Sequence, residues 1–542
     1  MSRTVLRSAA PALALAILVL VPFRESAFTI DDTLFLFEAR HALADPLHPS
    51  ALETVWSADP PVPVRMSQIL PNGPVMAWLL VPSVLANGSE TIAHLAELAA
   101  LALAIAATVA LALRLGLAPR WAMCSGVLVA ATPVALAMAG TAMPDVPAMA
   151  LGVAGLERLV AWRDERRVHQ GVLAALLLGL APLARSHVIM LLGVGALLVA
   201  GDYLRDAGWR RAGWTAWLPL AVASVITVAI MVATRDPLGS SFELARVAAS
   251  FAKVGQVPRN IVSFAMHWVL AIPLALPWVL IRRGSIARRW WVLLLATGAA
   301  AFLLEAWQNP SALASAAIAG LGATVLFDIL AVAWNRRESM QLTLGLWLLT
   351  ALPVAIYVHL PSKYLLASAP AAALLVARAL AERSTATARW IVPVTAVAGI
   401  ALGVAILRAD AAFAGLGRRA AAELVAPNVA AGRRVWFVGN WGFQWYAERA
   451  GGLTVSLAEP SPAAGDLLVT TEKTDVAPAL KQMLVARYRE RTRLIATVAD
   501  HSPGGRVMDP ELGAGFFSNA WGNYPWAWGD DLLDAFELWR IE

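Results

Sequence analysis

The chain has 542 residues, of which 59% are hydrophobic and only 15% charged, and its mean hydropathy is +0.64. A soluble domain carries about 25% charged residues, and surface-to-volume scaling limits how much apolar material it can hide. The composition therefore excludes an ordinary soluble enzyme and points to lipid as the solvent. The formal net charge of +6 does not mark a nucleic-acid partner, because the arginines fall in short clusters between apolar runs, as in cytoplasmic loops. One cysteine, Cys124, allows no intramolecular disulfide, and the eight histidines are scattered without metal-ligand spacing.

Apolar stretches recur from the N-terminus to residue 407. A helix needs about 20 residues to cross the hydrocarbon. The expected spans are 9–23, 93–113, 121–139, 146–162, 170–184, 188–203, 214–233, 261–281, 290–304, 312–334, 341–358, 364–380 and 389–407. The first segment has a basic start like a signal peptide, but no small-residue cleavage site follows and Arg24-Glu25 come directly after. Threaded in this order, the spans put the clusters at Arg3 and Arg7, Arg163 to Arg167, Arg282 to Arg289, and Arg383 with Arg389 on one side. That side is expected to be cytoplasmic, which leaves the C-terminal region outside.

Three regions break the helical rhythm. Residues 24–92 read as a long outer loop in which the apolar piece 74–85 lies in the interface, and residues 234–260 read as a second outer loop. Residues 408–542 differ in composition. Strand-like runs at 435–438, 467–470, 494–498 and 536–541, with a helical pattern at 476–489, predict a small extracytoplasmic α/β domain after the membrane domain 1–407.

The candidate chemistry lies in the outer loops. The first carries Thr29-Ile30-Asp31-Asp32-Thr33. Adjacent carboxylates beside a membrane helix are costly unless solvated or used, and a partly desolvated carboxylate is a stronger proton acceptor. Asp31 suits a general base for an acceptor; Asp32 suits either that role or the N-cap of a helix starting at Thr33. Asp145, in the turn Met143-Pro144-Asp145, offers a second carboxylate on the same face or a cap for the following span. Lys363, in Pro361-Ser362-Lys363-Tyr364, either binds a phosphate at headgroup depth or snorkels to lipid, and Arg185 reads the same way. Acids and cations on one face are what the departure of a sugar from a lipid phosphate requires: cations stabilise the leaving phosphate and a carboxylate activates the incoming hydroxyl.

The order of these pieces resembles the GT-C membrane glycosyltransferases, in the branch of protein O-mannosyltransferases and the lipid A aminoarabinose transferase. The resemblance rests on Asp31-Asp32 with Phe35, Ala39 and Arg40; on Pro71-Asn72-Gly73-Pro74 leading to Trp78; and on Asp145. It continues through Leu180-Ala181-Pro182-Leu183-Ala184-Arg185, Leu276-Pro277-Trp278, and Lys363-Tyr364 with Pro370, and so covers residues 1–407. Asp32 stands where the family has glutamate, Gly73 where it has histidine, and Lys363 where it has arginine, which supplies a point charge in place of a bidentate fork.

The resemblance implies an all-α polytopic domain of about 13 transmembrane helices in a bacterial inner membrane. It implies an inverting enzyme that takes a monosaccharide from a polyprenyl-phosphate donor to a lipid, glycan or protein acceptor on the periplasmic face. Asp31 would be the general base and Asp145 would orient the acceptor, while Lys363 and Arg185, with Tyr364 beside them, would hold the donor phosphate. Relatives with oligosaccharide donors use a divalent metal, but no ligand set stands out here. In the C-terminal region the pair Trp441 and Trp445, beside Gly439-Asn440, is the best candidate for an exposed glycan platform; the alternative is that these tryptophans fill a small core. A transporter or flippase is the competing reading. It needs ionisable residues at mid-bilayer depth, and Glu305 and Asp328 are the acids placed near or inside the apolar runs.

Overall fold

Alanine and leucine dominate the apolar segments, and both are strong helix formers that leave no backbone group for lipid to satisfy. The computed structural model describes residues 2–56, 62–70, 72–205, 213–237, 254–304, 311–336, 338–383, 385–456, 462–474 and 492–542, and each of the thirteen apolar segments holds helix. Among the described residues seven helices are long and apolar enough to cross a membrane, or nine if each of two bent pairs is one span. The bent pairs are Pro119–Ala130 with Pro133–Ala139 (58°) and Val257–Leu270 with Ala275–Ala287 (90°). Val168–Ala184, Ser186–Gly201 and Trp290–Leu303 are shorter apolar helices, and Asp145–Glu165 carries Glu157, Arg158 and Arg163 toward its end. A chain with this many apolar helices is an integral membrane protein.

The first helix, α1 (Arg3–Leu20), buries Ser8, Ala9, Ala12 and Ala16 along one face. The small stripe allows close approach, and the place where a Cβ on Gly126 would sit is 3.4 Å from the Ala12 Cβ. The first outer loop follows. In it, α2 (Asp32–His41) and α3 (Val75–Leu85) flank a short hairpin of β1 (Glu53–Val55) and β2 (Pro63–Arg65). Arg65 grips Asp236 through two hydrogen bonds of 2.6 and 2.7 Å, tying this loop to the start of the second outer loop. Most of that second loop, the helical pattern at 476–489 and Glu305 lie outside the described residues.

The last long apolar helix, Thr385–Ala420, continues 13 residues beyond the end of the apolar run at Leu407. Its continuation packs Leu416 and Ala420 against a five-stranded mixed sheet. The strands are β3 (Val435–Phe437), β4 (Leu453–Thr454), β5 (Leu467–Thr471), β6 (Thr492–Asp500) and β7 (Asp534–Ile541). Their order is β4-β3-β5-β7-β6; β3 is parallel to both neighbours and β7 is antiparallel to both of its own. Alternation within the strands sends Phe437, Val469, Phe536 and Leu538 to one core and Trp436, Leu468 and Ile541 to another. All four predicted strands are present; β4, only two residues long, carries too little pattern to be read from sequence.

Candidate functional site

The first outer loop enters the site through a strained backbone. Ile30 has φ +35°, a left-handed conformation that is unfavourable for a β-branched residue and is held only where surrounding contacts enforce it. Those contacts come from residues beyond Leu407. The amide of Phe28 donates to the Tyr446 hydroxyl (2.9 Å), and the Thr29 hydroxyl donates to Asp410 (2.8 Å). The result turns Asp31 outward and Asp32 inward.

The two aspartates therefore do different things. Asp31, with 32% of its side chain exposed, accepts from Lys363 Nζ at 3.3 Å. Asp32 is fully buried, and its two oxygens accept from the amides of Thr29 and Ala142, each at 2.9 Å. It does not cap the helix it starts; it pins the first outer loop to the turn that carries Asp145. Burial pushes its carboxyl well above the usual range, against the pull of the Thr29 amide and with the help of nearby Asp410. Both of its oxygens are thus occupied by backbone amides.

Asp145 sits at the first position of its helix behind Pro144, and its buried carboxylate accepts no hydrogen bond. It faces Arg185 Nε at 3.4 Å instead, so the capping alternative is not what the structure holds. The Arg185 guanidinium lies 4.7 Å over the Tyr364 ring. Lys363 Nζ, whose side chain is 3% exposed, also touches Met143 Sδ at 3.7 Å and lies 5.6 Å from the Phe517 ring centre. Because Lys363 and Tyr364 are adjacent, the two acid–cation pairs stand side by side. Gly73 brings the proline-rich stretch into the same assembly: a Cβ there would lie 2.6 Å from the Leu183 carbonyl oxygen, a contact open only to glycine.

The C-terminal region closes this assembly from above. Asn519 accepts from the Leu360 amide and donates to Asn260, both at 2.9 Å, while Ser518 meets His359 Nδ1 at 3.2 Å. The other ring nitrogen of His359 meets the Tyr364 hydroxyl at 3.2 Å. Burial, with the Lys363 charge next in importance, pushes this histidine down to about 3, so it is neutral at pH 7.

Trp441 and Trp445 correct the expectation of an exposed platform. They are only 6% and 2% exposed. Trp441 packs on Phe413 and Trp521, and Trp445 between Phe28 and Phe37, because the helix that carries them (Trp441–Arg449) must cover the strained loop before Asp31. The Trp441 carbonyl accepts from the Thr33 hydroxyl at 2.7 Å, so this pair buttresses the site.

Several residues of the assembly escaped the sequence reading. Glu97, fully buried with neither carboxylate oxygen hydrogen-bonded, lies within electrostatic reach of Asp32 and Asp145. An acid inside an apolar run was a legible signal for it. Arg259, whose Nε is buried without a partner, acts on His359. Phe517 carries no local signal. Asp328 was legible, but it is fully engaged: it accepts from Trp278 (3.0 Å) and Ser285 and pairs with Arg289 (2.6 Å), which locks helices together. Asp31 and Asp145 each face a cation, and among the described residues no group of three or more His, Cys, Asp or Glu side chains could hold a metal ion.

No protein-family model and no curated protein matches the chain. Solved structures similar to it include ArnT from Cupriavidus metallidurans bound to undecaprenyl phosphate, at 17% identity and TM-score 0.48, over 90% of this chain and 96% of that one. The archaeal oligosaccharyltransferase AglB from Archaeoglobus fulgidus, in complex with an inhibitory peptide and a dolichol-phosphate, is similar at 13% identity and TM-score 0.49, over 83% and 64% of the two chains. The mycobacterial arabinofuranosyltransferase AftD is similar at 15% identity and TM-score 0.38, over all of this chain and 42% of that one. All three are GT-C glycosyltransferases, the group that the sequence motifs resemble.

Proposed function

We propose that the protein is an inverting glycosyltransferase that moves a monosaccharide, a hexose or a pentose, from a polyprenyl-phosphate carrier to a hydroxyl of a lipid, glycan or protein acceptor. The observation that carries this reading is the pairing of two carboxylates with two cations, Asp31 with Lys363 and Asp145 with Arg185, brought side by side from four separate outer segments.

The chemistry follows from what each group can hold. The donor phosphate takes Lys363, and the Arg185 guanidinium stacked on Tyr364 neutralises further charge. Asp31, released from Lys363, accepts the acceptor's proton as its oxygen attacks the anomeric carbon. The bond from that carbon to the phosphate oxygen breaks on the opposite face, so the configuration inverts. The electron pair leaves with the phosphate, which needs no proton because the two cations stabilise it. Asp145, unencumbered by hydrogen bonds, orients the acceptor. Asp31→Asn keeps size and removes proton acceptance. Turnover with a polyprenyl-phosphate sugar is expected to fall by about 10²–10⁴-fold. Near-normal turnover in folded protein would remove Asp31 as the base.

Thirteen crossings, ordered by the arginine clusters, put this site and the region beyond Arg408 on the extracytoplasmic face of the plasma membrane, the inner membrane of a bacterium. Cysteines introduced beyond Arg408 are then expected to react with an impermeant reagent in intact spheroplasts. Protection there overturns the orientation.

A further inference from the structure

A cavity of about 1010 Å³ opens between the helix Ala275–Ala287, the end of Ala369–Ala381 and the start of Thr385–Ala420. It lies far from the reaction site. Lys363 and Arg383 bracket the span Ser362–Ala381, whose 20 residues reach about 30 Å, roughly one bilayer thickness. Arginines from two places separate in sequence converge on the cavity: Arg282, Arg283 and Arg288 on and just beyond the helix Ala275–Ala287, and Arg383 in the turn after the helix Ala369–Ala381. Arg282 is 3.9 Å from Asp328, and the helix kinks there (φ −112°, ψ 20°). Arg283, Arg288 and Arg383 are exposed, and among the described residues they make no ion pair.

The walls are apolar and open. Leu280 is 45% and Val394 50% exposed, and Trp390, 64% exposed, stands at the cavity's rim beside the arginines. Exposed aliphatic side chains below guanidinium groups, with a tryptophan at the boundary, match acyl chains below a phosphate headgroup. Guanidinium groups bind phosphate oxygens as bidentate forks. Three free arginines exceed the charge of one phosphodiester.

We propose that this cavity binds an anionic phospholipid from the arginine-rich leaflet, with a lipid carrying two phosphodiesters held more tightly than one carrying a single phosphodiester. The site is separate from that of the sugar donor, on the other side of the membrane.

Native mass spectrometry of the full chain in detergent tests this with phosphatidylcholine, phosphatidylglycerol and diphosphatidylglycerol added at equal concentration. Retention is expected to rise in that order. The triple variant Arg283→Gln/Arg288→Gln/Arg383→Gln is expected to lose on the order of a hundredfold in affinity for the diphosphatidyl lipid, at about fivefold per arginine. A control triple, Arg3→Gln/Arg7→Gln/Arg120→Gln, removes the same charge from the same side at exposed positions and is expected to retain the lipid. The proposal is overturned by equal retention of neutral and anionic lipid, by equal loss in both triples, by wild-type retention in the first triple, or by full displacement with millimolar inorganic phosphate.

Discussion

Lys363 holds the donor phosphate in the proposed reaction, and removing it has consequences that can be worked from its surroundings. At rest its ammonium is 3.3 Å from Asp31, whose side chain is 32% exposed. Two unit charges at that distance attract by about 5 kcal/mol at an effective dielectric constant near 20, and exposure and desolvation reduce the net worth of such a pair to about 1 kcal/mol. The donor phosphodiester carries one negative charge, as the carboxylate does, so it can replace Asp31 on the lysine at little net cost, and the second charge that builds on the leaving phosphate strengthens the contact. One charge-assisted hydrogen bond to that phosphate contributes about 1.5–3 kcal/mol. Lys363→Ala should raise the KM for the lipid donor by about tenfold to a hundredfold. It should also lower kcat, because the charge growing on the leaving phosphate then lacks one of its two stabilising cations. Lys363→Arg should keep most of both parameters, provided that the larger group fits beside Met143 and Phe517. The assay is initial-rate transfer from a purified polyprenyl-phosphate sugar over a range of donor concentrations, with melting curves to establish that the variants are folded. Unchanged KM and kcat in folded Lys363→Ala would return the lysine to an anchoring role at the lipid surface.

Two further outcomes test the frame of the site. Glu38 is buried in the first outer loop, and burial pushes its carboxyl up to about 8. A carboxyl with a raised folded pKa binds its proton more tightly when folded, so its contribution to stability is full below about pH 4.5 and is lost as pH rises toward 8. Glu38→Gln should flatten that decline in melting temperature; an unchanged profile would show that Glu38 does not set it. Gly73→Ala should lower melting temperature sharply, because its Cβ would meet the Leu183 carbonyl oxygen at 2.6 Å, whereas Gly298→Ala, with nothing within 4 Å, should not. Equal behaviour of the two variants would refute the close approach.

Sequence alone determined the membrane-embedded class, the positions of the helices and the four longer C-terminal strands. These depend on local composition and period, which act within a window of a few turns. It also brought Asp31, Asp145, Arg185 and Lys363 into view, because ionisable groups at the ends of apolar runs are rare and costly. Only the tertiary structure decided which carboxylate faces which cation. Asp31 and Asp32 are neighbours in the chain, yet one meets Lys363 and the other clamps the amides of Thr29 and Ala142. That split is made by the backbone turn at Ile30, enforced by Tyr446 and Asp410 through contacts spanning 418 and 381 residues, and no local pattern encodes it. The same distance explains Trp441 and Trp445. An aromatic pair looks alike in sequence whether it meets a sugar or a core, and only the packing of its helix onto the first outer loop put it in the core.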